Sequence, residues 1–328
     1  MGVSDIKRHF SWTKAAAALA MMCLLPLSAG PGLIFPEEAE EPAAASAAAE
    51  DSCAEPPPGP GQPEAFVWVA PDGARRKIED RELVIGAVAF EMVPASEPEA
   101  LKAQAVASYS HFCARRQRGD SAVTDGYYTP EQLRERWGGE YEKNRKIIEQ
   151  AVDAVFPEVL RVPDGSIADC AYHAISSGMT EDAAEVFGQP NPLLHPVPSP
   201  FDALSPGFLS QQRFTPDELK QAVSSFGTPQ DLPPDQAVQI LRTTTAGSVL
   251  TVRVCGVSLT GQQLRRALGL RSAHFTVRSE QGGLLFSVQG YGHGVGMSQA
   301  GAQAMARQGA SYREILRHYY SQTPSETA

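Results

Sequence analysis

No Cys-x-x-Cys pair occurs in this chain of 328 residues, so zinc-ribbon and thioredoxin-like spacings are absent. The glycine-rich tract from residue 290 to 301 contains neither a Gly-x-Gly-x-x-Gly fingerprint nor the lysine of a P-loop, which removes support for nucleotide binding. No internal repeat is found. Between residues 36 and 65 there is no Lys or Arg and almost no aromatic or branched side chain, against eight acidic residues. Such a composition cannot bury enough surface to offset chain entropy, and it reads as a linker with a typical reach of roughly 30 Å. The net charge is −10; with +2 from residues 1–35 and −8 from residues 36–65, residues 66–328 carry only −4. A nearly balanced, slightly acidic body argues against general binding of nucleic acid. With 42% apolar and 20% charged residues, the chain is expected to be mostly folded, and its length suits one or two domains.

What is present begins with a topogenic signal. Lys7, Arg8 and Lys14 precede an uncharged run from Ala15 to Phe35. Its densest part, Ala15 to Leu27, has the length of a signal-peptide core, and the whole run of 21 residues is just long enough to span a bilayer. Bases before the run and acids after it place the N-terminus inside and the body outside. The expectation is a single N-terminal membrane anchor within residues 1–35, a linker over 36–65, and an extracytoplasmic domain over 66–328. Cleavage near Leu27-Ser28-Ala29, with secretion, is the alternative. Cys23 lacks the small preceding residue of a lipoprotein signal.

The body reads as mixed helices and strands without strict alternation, hence α+β. Asp80 to Met92 is apolar enough for a buried strand or a short helix, and periodicity leaves both open. Ser96-Glu97-Pro98-Glu99 reads as a capping box, followed by a helix from Glu97 to about Arg116 on which Leu101, Ala105, Tyr109 and Phe112 recur at helical spacing. Thr129 to Trp137 and Tyr141 to Val155 are further helices. Val159 to Ala174 is expected to be a hairpin turning at Pro163-Asp164-Gly165. Two strands around Ala246-Gly247 lie within Ile240 to Val254, and Thr260 to Leu268 is a short helix. His274 to Ser279 pairs with Leu284 to Gln289. Ser298 to Arg307 and Tyr312 to Tyr320 are helical.

Cys113, Cys170 and Cys255 lie in the body and read as ordinary buried thiols, with a disulfide as one alternative. Another is zinc, held by His111, Cys113, Cys170 and His173. Against it, positions i and i+2 of a helix point about 200° apart, so His111 and Cys113 cannot readily share an ion; no metal and no cofactor are expected. Gly296-Met-Ser298-Gln-Ala300 nearly matches a hydrolase nucleophile elbow, but no Asp follows Ser298, and Glu314 and His318 share one helix. The alternate glycines around His293 instead let a ligand, or another strand, approach very closely. Glu91 ends the apolar run Leu83 to Phe90, so its carboxyl is expected to be partly desolvated and easily protonated, as a general acid requires. Taken alone, a Glu at the end of an element is more often a plain surface carboxylate. Lys102 is either a solvated helix residue or a substrate contact. Ser176, Thr180 and Glu181 form a polar loop after an apolar strand, the usual place for function or for a simple turn.

Five blocks carry a resemblance: 89–112 (AFEMVPASEPEALKAQAVASYSHF), 171–188 (AYHAISSGMTEDAAEVFG), 196–202 (PVPSPFD), 259–275 (LTGQQLRRALGLRSAHF) and 290–320 (GYGHGVGMSQAGAQAMARQGASYREILRHYY). Together, in this order, the chain resembles the SpoIID/LytB family, the stage II sporulation protein D type. The resemblance implies a single SpoIID-type catalytic body that acts as a lytic transglycosylase on peptidoglycan glycan strands. It implies a preference for strands denuded of stem peptides by a partner amidase, within the membrane-associated machinery of engulfment. The family's catalytic Glu falls on Glu91, and Lys102, His173, Ser176, Thr180, Glu181, His293 and Gln299 match its pattern as substrate-binding candidates. Three departures stand out: Val93 splits the family's Glu-Met-Pro, Tyr109 replaces a frequent Arg, and Ser177 replaces a loop glycine. The rival expectation is a non-catalytic glycan-binding scaffold that activates an amidase, as the LytB half of the family name implies.

Overall fold

The computed structural model describes residues 65–280 and 282–320. The expected membrane segment and all but the last residue of the expected linker lie outside the described residues, and no helix among those described is long and apolar enough to cross a membrane.

A hairpin of β1 (Phe66–Val69) and β2 (Arg75–Ile78) leads into α1 (Asp80–Glu91). The ambiguous run is thus a helix. Leu83 through Ala89 are all buried, so neither a helical nor a strand stripe could have shown in the sequence. Gly86 is where the backbone at Tyr128 and the ring of Tyr127 press on α1, leaving no space for a Cβ. The helix stops at Met92, which turns extended ahead of Val93-Pro94.

The long helix α2 (Pro98–Gln117) runs as expected, but its capping differs. Its N-cap is Glu97 and no side chain caps it. The Glu97 amide donates instead to Gln303 Oε1 at 2.9 Å, and Glu99 accepts from the Tyr312 amide at 2.8 Å, so the acid of the anticipated box caps a neighbouring helix. A short β3 (Ala122–Val123) joins β1 in parallel. Next come α3 (Pro130–Trp137), with a true capping box at Thr129, and α4 (Tyr141–Asp153). The expected hairpin over 159–174 shrinks to one antiparallel bridge, Arg161 to Ile167. The end of that segment becomes β4 (Tyr172–His173), which pairs elsewhere.

After α5 (Ala183–Phe187) and a 3₁₀ turn (Pro200–Leu204), the chain builds a β-rich lobe. It contains β5 (Leu209–Phe214), α6 (Pro216–Val223), β6 (Val238–Thr243), β7 (Val249–Val254), β8 (Val257–Thr260), α7 (Gly261–Leu268), β9 (Phe275–Glu280) and β10 (Gly283–Gln289). Two antiparallel sheets, β5-β10-β9 and β6-β7-β8, enclose a core of Leu219, Val252, Leu264 and Phe286. The chain then returns through β11 (Met297–Ser298), which lies parallel to β4, into α8 (Gln299–Arg307) and α9 (Tyr312–Tyr319). Both pack on α2, around a larger core that includes Leu83, Ile85, Leu101, Phe112 and Ile315. The α+β class holds. Two findings refine it: the described body has separate helical and β-rich cores, and β1·β3 and β4·β11 are parallel rather than antiparallel.

Candidate active site

Three helices converge on Glu91. Its half-buried carboxylate closes α1, and its Oε2 accepts from Gln299 Nε2, on the first residue of α8, at 3.0 Å. The same amide nitrogen donates to Gln104 Oε1, fully buried in α2, at 3.3 Å. Gln104 donates in turn to Ser108 one turn along at 3.0 Å, and Ser108 to the Tyr172 hydroxyl at 3.3 Å. Gln104, Ser108 and Tyr172 were not among the sequence candidates. The signal for the first two was a pair of polar residues, four apart, on an otherwise apolar helix face, and Tyr172 had none.

The start of α8 is anchored from beneath. Ser298 is its N-cap, accepting from the Gly301 amide at 3.2 Å while donating to Asp202 Oδ2 at 2.6 Å. Asp202 is wholly buried and also accepts from the Ser176 amide at 2.7 Å and the Ser199 hydroxyl at 3.1 Å. Burial pushes its carboxyl pKa up, and the donors from Ser176 and Ser298 pull it back. Ser176 is thereby tied to the residue beside Gln299, through a carboxylate at the end of the 196–202 block that has no local signal of its own.

The glycine tract explains the histidines. Gly296 has φ +76°, and a Cβ there would run into the Ala171 carbonyl oxygen; at Gly292 it would stand 2.8 Å from His173 Cβ. Of the two expected causes of close approach, a ligand or another strand, the tract meets the strand: the chain's own segment around β4. Tyr172 and His173 are successive strand residues and project to opposite faces. Tyr172 reaches Ser108 on α2, whereas His173 Nδ1 donates to the Val295 carbonyl at 3.1 Å. The Val295 amide donates to His293 Nδ1 at 3.1 Å, and the two imidazole centroids lie 5.8 Å apart. Burial lowers the His173 pKa to about 4. Burial, with His173 as a lesser cause, lowers that of His293 to about 3, so both rings are neutral at pH 7.

A narrow cleft opens beside His293, at the seam between the helical and β-rich parts. Ser176, Glu181 and His293 line it together with Ser248, His274 and Gln289 from the β-rich lobe. Ser248 and Gln289 belong to a turn and a strand end that carry no motif, and His274, though within the 259–275 block, directly precedes β9 with nothing polar beside it to mark it. Burial holds the Glu181 carboxyl above the usual range, with Ser248 and Thr244 pulling it down. Phe187, half exposed, sets its ring edge-on to His293 at 5.2 Å.

The family model for SpoIID, stage II sporulation protein, matches residues 74–161. Stage II sporulation protein D of Bacillus amyloliquefaciens is 34% identical over 323 residues, covering 92% of each chain. The chain belongs to this family. The protein of the same name from Bacillus subtilis strain 168 is 31% identical over 330 residues, covering 94% of each chain. An amidase enhancer of Bacillus subtilis strain 168 is 39% identical over 80 residues, 24% of this chain and 11% of that protein.

The matched segment contains Glu91, Lys102 and Gln104. Lys102 forms an ion pair with Glu99 at 2.6 Å, which leaves it tied to the start of α2. Thr180 holds its own loop, donating to the His195 carbonyl at 3.2 Å and accepting from the Val197 amide at 2.9 Å. Tyr109, standing where the family often has Arg, is buried against Phe156 and donates to Asp80 Oδ2 at 2.8 Å. Asp80 begins α1 and Glu91 ends it, roughly 16 Å away at 1.5 Å per residue, so this departure is remote from the carboxylate. Cys113, Cys170 and Cys255 are free and buried. Three of the four residues weighed for zinc are engaged separately, His111 with Asp169 at 2.7 Å and Cys113 with Arg116 at 3.6 Å, while His173 holds Val295. Among the described residues, no three His, Cys, Asp or Glu side chains converge as metal ligands.

Proposed function

We propose that this chain is a lytic transglycosylase that cleaves denuded peptidoglycan glycan strands to 1,6-anhydromuramic products during sporulation, with Glu91 as its single acid and base. The observation carrying the proposal is the Glu91 carboxylate, half-buried where α1, α2 and α8 meet and held by the Gln299 amide at 3.0 Å. One such group is enough for this chemistry. Most glycosidases need a second carboxylate to activate water or to act as nucleophile. Here the substrate supplies its own nucleophile, the muramic C6 hydroxyl. Glu91 protonates the glycosidic oxygen as the C1–O bond breaks. As carboxylate it then takes the C6 hydroxyl proton while that oxygen bonds to C1, which closes the anhydro ring and restores the acid. Holding the hydroxyl beside C1 replaces a second catalytic group by effective molarity. The cleft by Ser176, Glu181 and His293 provides neutral imidazoles, hydroxyls and an amide suited to sugar hydroxyls; Lys102, His173, Thr180 and Gln299 match the family pattern but do not line it. The body works outside the membrane on the tether of residues 36–65, alongside a cell-wall amidase and the engulfment machinery.

Purified protein incubated with denuded glycan is expected to yield 1,6-anhydromuramic ends detectable by mass spectrometry, and Glu91→Gln to yield only background while keeping the wild-type Tm. The likeness to an amidase enhancer favours a second reading, a glycan-binding scaffold that activates an amidase. Equal, background product from wild type and Glu91→Gln, with both still stimulating the amidase, would establish the scaffold in place of the enzyme.

A further inference from the structure

Gln104 is a glutamine with no exposed surface, set in a helix whose buried face is otherwise mostly alanine and bulky apolar side chains. Burying an amide is costly unless its hydrogen bonds are made, and here they are made in one direction. Gln299 Nε2 gives one hydrogen to Glu91 Oε2 at 3.0 Å and directs the other at Gln104 Oε1 at 3.3 Å. Gln104 Nε2 then donates to Ser108 at 3.0 Å, and Ser108 to Tyr172 at 3.3 Å. A carboxylate only accepts, which sets the sense of the Gln299 amide; Gln104 must then present its oxygen, and each later link follows. Turning either amide over would set two donors, or two acceptors, face to face.

We propose that Gln299 and Gln104 are positioning residues for Glu91, reserving Oε2 as an acceptor so that the transferable proton resides on Oε1. This rests on the reading of Glu91 as the acid and base. Gln299 alone could swing about its side-chain torsions. Gln104 prevents this from the middle of a 20-residue helix, and Ser108 with Tyr172 locks Gln104. The carboxyl plane is thereby fixed by three elements at once, α2, β4 and the start of α8. A proton donor must be held to within about half an ångström of its productive geometry, and a side chain at a helix end does not achieve that unaided. Gln299 acts through the carboxyl rather than through the sugar, which is a different role from the substrate contact its motif position suggested.

The test uses the full chain with glutamate carboxyls labelled by ¹³C, the Glu91 resonance being assigned from its loss in Glu91→Gln. Wild type, Gln299→Met and Gln104→Met are titrated, and kcat and KM for anhydro-end formation are measured across pH. Removing a donor to a carboxylate favours the protonated form, so Gln299→Met should move the Glu91 titration up by roughly one pH unit, and the high-pH limb of the rate with it. Gln104→Met should shift it in the same direction by less. In both, kcat should fall roughly tenfold with KM within about twofold, the mark of a misplaced acid rather than a lost binding contact. If Glu91 titrates at the wild-type pH in both variants while each keeps the wild-type Tm, the positioning role is refuted. If the titration shifts but wild type forms no anhydro ends, the positioning stands and the transglycosylase reading falls.

Discussion

Replacing Asp202 tests how the start of α8, and with it Gln299, is held. Asp202 Oδ2 accepts from the Ser176 amide at 2.7 Å and the Ser298 hydroxyl at 2.6 Å, while Oδ1 accepts from Ser199 at 3.1 Å. Asp202→Ala leaves the Ser176 N–H buried with no acceptor, at about 1–3 kcal/mol, and strips the Ser298 hydroxyl of its charge-assisted bond, at about 1.5–3 kcal/mol. Relief from burying a charge offsets part of this, and the expected loss is about 2–5 kcal/mol. Asp202→Asn behaves differently. Its amide oxygen can take the Oδ2 place, and its NH₂ can donate to Ser199, whose hydroxyl also bonds Tyr319 at 2.7 Å and turns to suit. Only charge assistance is lost, about 1–2 kcal/mol. Urea unfolding at pH 7 measures both, as shifts in midpoint at constant slope. An Ala variant within about 1 kcal/mol of wild type, or an Asn variant as costly as Ala, would refute the hub. The Asn variant has a further signature. Because burial raises the Asp202 pKa in the folded state, folding binds a proton above the unfolded value, and stability declines as pH climbs through that window. Asp202→Asn should lack this decline.

The paired imidazoles predict the opposite slope. His173 is held at about 4 when folded, against about 6.5 when unfolded, so its contribution is complete above pH 6.5 and is lost as pH falls towards 4, by about 3 kcal/mol in all. His293 acts in the same sense, and the two are coupled, so their losses are not summed. Between pH 7 and 4.5, Tm should fall by roughly 5–10 °C less in His173→Gln than in wild type; parallel Tm curves would sink this account. In the glycine tract, Gly296→Ala drives a Cβ into the Ala171 carbonyl oxygen at φ +76° and should cost about 3 kcal/mol or more. Gly309→Ala, at φ +88° with open space around it, should cost only about 1–2 kcal/mol. Equal Tm losses for the two would show that φ alone, and not the close approach of β4, is responsible.

Much of the fold was legible wherever a local signal had no competitor. Thr129-Pro130 with Gln132, and Thr260 with Gln263, announce helix starts that the structure keeps as capping boxes. Leu284 to Gln289 lies on β10, within one residue of the expected pairing with β9. The same kind of signal was present but unused at Thr215-Pro216 with Glu218, which caps α6. β2, with three charged residues in four, and β5, rich in Gln, each carry a single β-branched or aromatic residue, Ile78 and Phe214, too few to mark a strand, and they exist because partners supply the ladder. Ser96 to Glu99 misled in the other direction. Its acid sits at the right distance for a local cap, yet Glu99 reaches the Tyr312 amide, 213 residues away, and a Gln303 side chain takes the local task.

The sequence by itself determined which side chains are available for chemistry and where most helices begin, since a carboxylate after an apolar run, a threonine before a proline and alternate glycines are properties of neighbouring residues. It also marked the carboxylate at residue 91 for attention, through its place in a recognisable block. Tertiary structure alone decided what that carboxylate faces. Gln299 and Gln104 lie 208 and 13 positions from Glu91, and only the packing of α8 and α1 on α2 brings their amides together. Which of Tyr172 and His173 would turn to α2 and which to the glycine tract was equally open, because a strand sends adjacent side chains to opposite sides and its orientation is set by the partner it pairs with. Local sequence fixes the donors and acceptors a residue can offer; which of them meet depends on contacts between segments that no local pattern encodes.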